Sequence, residues 1–245
     1  GVTAGEIQWP VPGKYFANTL TSYEYAKEVV LLVPLKLAAS APAGSHELSA
    51  KVSWLECETG GSCVPAKATA KATLRIGAET KPTAAAPQFA DWQKLLPIQK
   101  PDLAASARWE KPATGGTRPL LIEWTTSAPK PDFFPYGGEG FEIAGPTEVV
   151  SNAGGKVLLR KQVKKSAGEW PRQLLGLLVE VATTGQSTGY EASLLLSDTP
   201  PTSATDTATA PKVAPSPALP VAKGEITSFG HALLLAFLGG LILNI

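Results

Sequence analysis

Residues 48–76, LSAKVSWLECETGGSCVPAKATAKATLRI, decide the fold. In residues 48–55 every second side chain, Leu48, Ala50, Val52 and Trp54, is apolar, which is the period-two alternation of a half-buried strand. Residues 66–76 alternate Ala with Lys and Thr, as an edge or half-buried strand does. Between the two runs, Cys57 and Cys63 enclose Glu58-Thr59-Gly60-Gly61-Ser62, and the Gly pair offers the positive-φ residues of a tight reversal. The stretch predicts a β-hairpin whose loop ends lie close together, with two thiols within bridging distance. Cross-strand neighbours have Cβ separations of ~4.5–5.5 Å against ~3.8 Å in a disulfide, so a bond between them needs only a modest adjustment.

The flanking sequence has the same texture. Residues 28–37 (EVVLLVPLKL) read as a further strand, and residues 120–125, 141–144, 156–163, 174–182 and 190–196 repeat the pattern. Gly115-Gly116, Gly137-Gly138 and Gly154-Gly155 separate them at the spacing of an all-β sandwich. Only residues 90–96 (ADWQKLL) look helical. Gly and Pro number 23 and 22 in 245 residues, an excess that favours short strands and turns over a helical bundle. A Pro- and Ala-rich stretch at 78–87 divides the chain, so the expected fold class is all-β: two immunoglobulin-like β-sandwiches in series, residues 1–80 and 82–197. The tryptophans at 9, 54, 92, 109, 124 and 170 are most simply core residues.

Residues 198–223 (DTPPTSATDTATAPKVAPSPALPVAK) have too few large apolar side chains to offset their ordering entropy. They predict an extended Pro/Thr/Ala-rich tether, a linker over 198–225. Residues 229–245 (FGHALLLAFLGGLILNI) are long and apolar enough to begin a transmembrane helix, expected over 226–245, and Gly239-Gly240 would let a neighbouring helix approach. The sequence holds no Met and opens without a basic and apolar leader, so it reads as processed or cropped.

Composition excludes several function classes. Twenty-two Lys and Arg against 21 Asp and Glu give a net charge of +1, which supplies no field for steering nucleic acid. Two histidines, His46 and His231, and two cysteines leave no site needing three soft ligands, so no metal and no bound cofactor is expected. Residues 136–140 (YGGEG) lack the Lys-Ser/Thr ending of a phosphate cradle and read as a turn. The basic run at 160–165 (RKQVKK) reads as a solvated face, and no Ser or Cys stands in a motif with a histidine. No chemistry is legible in residues 82–197, which read as spacer or docking surface.

A ring as small as 57–63 stabilises a fold by only about 2 kcal/mol, and an exposed disulfide is open to an attacking thiolate. Position alone leaves both a passive bridge and an exchanging one open. Val52-Ser53-Trp54-Leu55-Glu56-Cys57, five residues, then Cys63-Val64-Pro65 resembles the redox hairpin in the N-terminal periplasmic domain of the thiol:disulfide interchange (DsbD) family, including its ScsB-like group. Ile7-Gln8-Trp9-Pro10-Val11-Pro12 and Tyr23-Glu24-Tyr25 resemble the strand and loop before that hairpin, and residues 229–245 the opening of the family's first membrane helix.

The resemblance implies a protein-disulfide reductase working by thiol–disulfide exchange. Electrons would come from a thioredoxin-like domain of the same full-length protein and pass to exported thioredoxin-fold clients. Cys63 would form mixed disulfides with partners and Cys57 would resolve them. It further implies the bacterial inner membrane, with the soluble part in the periplasm, a first sandwich lacking its opening strands, and an aromatic cap for which Tyr15 or Phe16 is the candidate, the alternative being that both rings fill the sandwich core. Glu56 and Glu58 flank Cys57 and a hairpin offers no helix N-terminus, so the thiol pKa values are expected at or above the ordinary ~8.5. The rival reading is a non-catalytic, membrane-tethered scaffolding module with a structural disulfide.

Overall fold

The computed structural model describes residues 1–17, 20–58, 61–198 and 241–243. Nearly all regular structure is β, as expected. The strands are β1 (Val2–Ala4), β2 (Gly13–Ala17), β3 (Leu20–Tyr25), β4 (Leu35–Leu37), β5 (Gly44–Cys57) and β6 (Cys63–Ile76), then one helix, α1 (Ala86–Gln93). They continue as β7 (Ala105–Trp109), β8 (Thr117–Thr125), β9 (Lys130–Pro135), β10 (Phe141–Ala153), β11 (Lys156–Lys165), β12 (Gln173–Val181), β13 (Ser187–Ser197) and β14 (Leu241–Leu243).

Strands β7–β13 form one sheet in the order β10-β11-β8-β7-β13-β12-β9, mostly antiparallel, with a short parallel contact between β13 and β7. The sheet folds on itself at that weak seam. Residues of one parity on each strand face a common interior: Leu120, Ile122 and Trp124 from β8, Val157, Leu159 and Val163 from β11, Leu174 and Leu178 from β12, and Phe133 from β9. The arrangement fits an all-β sandwich. Gly154 and Gly155 both adopt positive φ, the mirror-image turn whose twist suits the β10–β11 hairpin.

Two strands of this sheet escape the sequence reading, β7 and β9. β9 begins and ends near Pro131 and Pro135, but it is the outermost strand of the sheet, where a missing N–H breaks no ladder.

The inner half of this sandwich is covered on both faces. Phe133 enters the core while Phe134, with Leu177 and Val179, faces outward against Val11 and Tyr23. The Tyr23 and Phe134 rings are 4.8 Å apart. At the margin Lys14 Nζ donates to the Asp132 carboxylate at 2.6 Å, and Thr21 Oγ1 donates to the Gly145 carbonyl. The β2–β3 segment is therefore a third layer on the sandwich.

The first 80 residues do not close a sandwich of their own. Among the described residues their strands pair as β1–β4, β2–β3 and β5–β6, and none of these three pairs joins another into one sheet. The expected strand at 28–37 shrinks to β4, because Pro34 interrupts the ladder and Lys27 turns the chain at φ 71°. Among described residues 1–80 only Pro10, Ser22, Tyr25 and Leu32 are buried. The small, alanine-rich faces of β5 and β6 have too little apolar area to draw a second layer over them. Of the six tryptophans, only Trp109 and Trp124 are in the core; Trp9, Trp54, Trp92 and Trp170 are half-buried. The helix falls at Ala86–Gln93, a few residues ahead of its expected place.

The expected tether lies, beyond Asp198, outside the described residues, and so does most of the expected membrane helix. Its one described part, β14, is a strand parallel to β3. There the apolar run meets the open edge of the β2–β3 hairpin, whose free backbone groups it pairs. Among the described residues no helix is long and apolar enough to cross a membrane.

Candidate functional site: a cystine at the tip of a β-ribbon

β5 and β6 pair in unbroken register from Gly44↔Ile76 to Cys57↔Cys63, fourteen consecutive pairs. At ~3.4 Å per residue the ribbon is about 45 Å long. Its two faces differ by parity alone. Leu48, Ala50, Val52 and Trp54 share one face with Val64, Ala66, Ala68, Ala70, Ala72 and Leu74; Ser53, Lys51 and Ser49 share the other with Lys67, Thr69 and Lys71. The alternation read from the sequence is thus the observed one. No residue of either strand is buried.

The register also fixes how the cysteines meet. Glu58 N–H donates to Ser62 C=O at 3.2 Å, which makes that pair hydrogen-bonded. Antiparallel pairs alternate, so Cys57↔Cys63 is a non-hydrogen-bonded pair, the kind that brings side chains closest. Their Cα atoms are 4.0 Å apart and the sulfurs are bonded. Two steps down the ladder, Leu55↔Pro65 is of the same kind, so the missing N–H of Pro65 points away from β5 and breaks nothing.

The turn is closed by Gly61 N–H donating to Glu58 C=O at 2.9 Å. Gly61 is not in a positive-φ conformation. Its need for glycine is steric, because a Cβ there would lie 2.8 Å from Glu58 Cβ. Gly60 lies outside the described residues.

Cys63 is exposed and Cys57 half-buried, so the two sulfurs of one bond are unequally accessible. Glu56 and Glu58 are exposed beside Cys57, and neither has an ion-pair partner among the described residues. The nearest cation on the cystine face is Lys67, paired with Ser53 four residues from Cys57, roughly 13 Å along the strand.

Tyr15 and Phe16 are on β2, 36% and 46% exposed, which rules out a core role for either ring. Neither makes a hydrogen bond or ring contact with another described residue, the cysteines included. No group of His, Cys, Asp and Glu suited to a metal is present among the described residues.

The run 160–165 is only partly the solvated face expected of it. Lys161 is 1% exposed and its Nζ has no hydrogen-bond partner. It occupies the inward parity of Val157, Leu159 and Val163, a phase visible in the sequence but masked by the neighbouring charges. Burial, with help from the Lys14 charge and against that of Asp132, lowers its pKa to about 8.

Residues 1–75 match the family described as thiol:disulfide interchange protein DsbD, N-terminal. The matched span takes in β1–β5, both cysteines and all but the last residue of β6. No curated protein and no solved structure matches significantly.

Proposed function

We propose, from the match of residues 1–75 to the DsbD N-terminal family, that the chain is the exported part of a membrane-anchored disulfide reductase, relaying electrons from a thioredoxin-like domain to exported clients through Cys57 and Cys63. The observation that carries this reading is the cystine itself, closing the last pair of a solvent-exposed ribbon, with Cys63 the more accessible sulfur.

In the reductive half, a donor thiolate attacks Sγ of Cys63, forming a mixed disulfide and releasing Cys57 as a thiolate. The donor's second thiolate then attacks its own partner sulfur, leaving Cys63 and Cys57 as a dithiol and the donor as a disulfide. Two electrons have moved, and two protons follow from solvent. In the oxidative half, the Cys63 thiolate attacks a client disulfide and Cys57 displaces the client from Cys63, restoring the ribbon disulfide. Exposure of Cys63 favours attack on and by that sulfur, and adjacency of Cys57 makes the resolving step intramolecular.

The carboxylates of Glu56 and Glu58 beside Cys57 repel approaching anions, so the pair reacts chiefly once a partner docks and covers it. Tyr15 and Phe16 remain the proposed shield, their exposed rings free to be drawn onto the ribbon tip. The proposed location is the periplasmic side of the inner membrane, with residues 226–245 as the anchor, an insertion that requires Leu241–Leu243 to leave the edge of β3.

Replacing Cys57 with Ser tests the roles. Cys63 should then trap a covalent complex with an exported thioredoxin-fold protein, while Cys63→Ser should trap none. A wild-type disulfide that stays inert toward a reduced thioredoxin-like donor, in protein that is still folded, would hand the site to the rival reading of a structural staple.

A further inference from the structure

A cleft of about 250 Å³ lies where residues 9–25 cross the outer face of β9 and β12. Its walls are Trp9, Tyr23, Tyr25, Phe134 and Tyr136, together with four prolines. These rings are held in place: Trp9 stacks on Tyr25 at 6.3 Å, and Tyr23 packs at a tilt against Phe134 at 4.8 Å. The Tyr25 hydroxyl donates to the Pro10 carbonyl and that of Tyr136 to the Glu191 carboxylate, so both are spoken for. The Trp9 indole N–H and the Tyr23 hydroxyl have no hydrogen-bond partner among the described residues. The cleft is thus walled by fixed rings and prolines, and two of the residues lining it, Trp9 and Tyr23, carry donors without a partner among the described residues.

That combination selects a ligand that is apolar, ridged and rich in acceptors. A polyproline II segment is such a ligand: its carbonyls have no internal partner, its prolines have no N–H to satisfy, and it loses little entropy on binding. We propose that the cleft is a polyproline II docking site and that its occupant is the chain's own run at 210–221, APKVAPSPALPV.

Pro217 and Pro220 in that run are three residues apart, one turn of a polyproline II helix, and so share an edge. Lys212 supplies a cation upstream, complementary to Glu191 at the rim. Reach is sufficient. The sandwich's last described residue, Asp198, is held by Arg118 at 2.5 Å, and Glu191 is seven residues back along β13, roughly 23 Å. The thirteen residues from Asp198 to Pro211 span up to about 40 Å when extended in this conformation.

The test places the photoreactive residue benzoylphenylalanine at position 219 of the full chain and maps the cross-links by mass spectrometry. Cross-links should concentrate within one chain, on peptides carrying residues 9–12, 23–25 and 134–137. Tyr23→Phe keeps the ring and removes one donor, and should lower their yield about fivefold. Pro217→Ala with Pro220→Ala should lower it further. Cross-links scattered over the sandwich, covalent dimers in place of intrachain products, or a yield indifferent to both variants would each overturn the proposal.

Discussion

Reducing the Cys57–Cys63 bond should leave the sandwich as stable as before and loosen only the ribbon. The bond closes a loop of seven residues, and in the chain-entropy treatment a loop of that size is worth about 2 kcal/mol. That figure is an upper limit, because the hydrogen bonds of Glu58 with Ser62 and Gly61 already restrict the loop. None of the residues in the two core clusters belongs to β5 or β6, so the loss has no route into the sandwich. If it were shared, a domain of roughly this size would melt about 4–8 °C lower for each kcal/mol. Thermal unfolding followed by near-ultraviolet circular dichroism, which reports the packed Trp109 and Trp124, should shift by less than 1 °C on reduction or in the Cys57→Ser/Cys63→Ser protein. Amide exchange along β5 and β6 should meanwhile accelerate by up to about thirtyfold. A fall of 4 °C or more in the sandwich midpoint, or ribbon amides indifferent to reduction, would refute the claim that the two parts are energetically separate.

Lys161→Met should stabilise the protein near neutral pH. The folded state holds this amine at about 8 against 10.5 for a free lysine, so between those values the unfolded chain binds more protons and wild-type stability rises with pH; the full difference is about 3 kcal/mol. In Lys161→Met denaturant midpoints should be higher at pH 7 and flat from pH 8 to 10, and a wild-type curve without that rise would count against the buried, unpaired amine. Gly61→Ala would press a methyl against Glu58 Cβ and strain the closed turn by roughly 1–3 kcal/mol. The reduction potential of the pair, measured against glutathione, should rise by about 20–60 mV, and an unchanged potential would show that the turn does not constrain the bond.

What the sequence made legible and what it hid divide along a physical line. The ribbon was readable because its faces follow a period of two with small and β-branched residues, and the register brought the cysteines opposite each other. The missing first sandwich was not, because alternation reports which face is apolar and not whether anything covers it. In β12 the run LLGLLV was the better clue: a strand apolar on both faces must be covered on both. Leu174 and Leu178 enter the core while Leu177 and Val179 meet the β2–β3 layer. Gly176 leaves room for the Phe133 ring, a demand that only the assembled sheet makes. Lys161 was misread for the opposite reason, a charged residue in the inward phase of a strand whose outward neighbours are also charged.

The separation of ribbon from sandwich bears directly on electron transfer. By a thermodynamic cycle, whatever stability the disulfide adds to the fold, the fold adds to the disulfide. A bond knitted through the core would be worth several kcal/mol and its potential would sink accordingly, at 30 mV for each 1.4 kcal/mol. Here the mutual stabilisation is capped at about 2 kcal/mol, so folding lowers the potential of this pair by no more than about 40 mV relative to the same loop unfolded. An exposed, nearly unburied ribbon makes a weak structural element for the same reason that it leaves the sulfurs free to be reduced. Burying the apolar face of β5 and β6 under another layer would couple the bond to the core and pull its potential down, so the thin packing of this region and the proposed exchange at Cys57 and Cys63 have one physical cause.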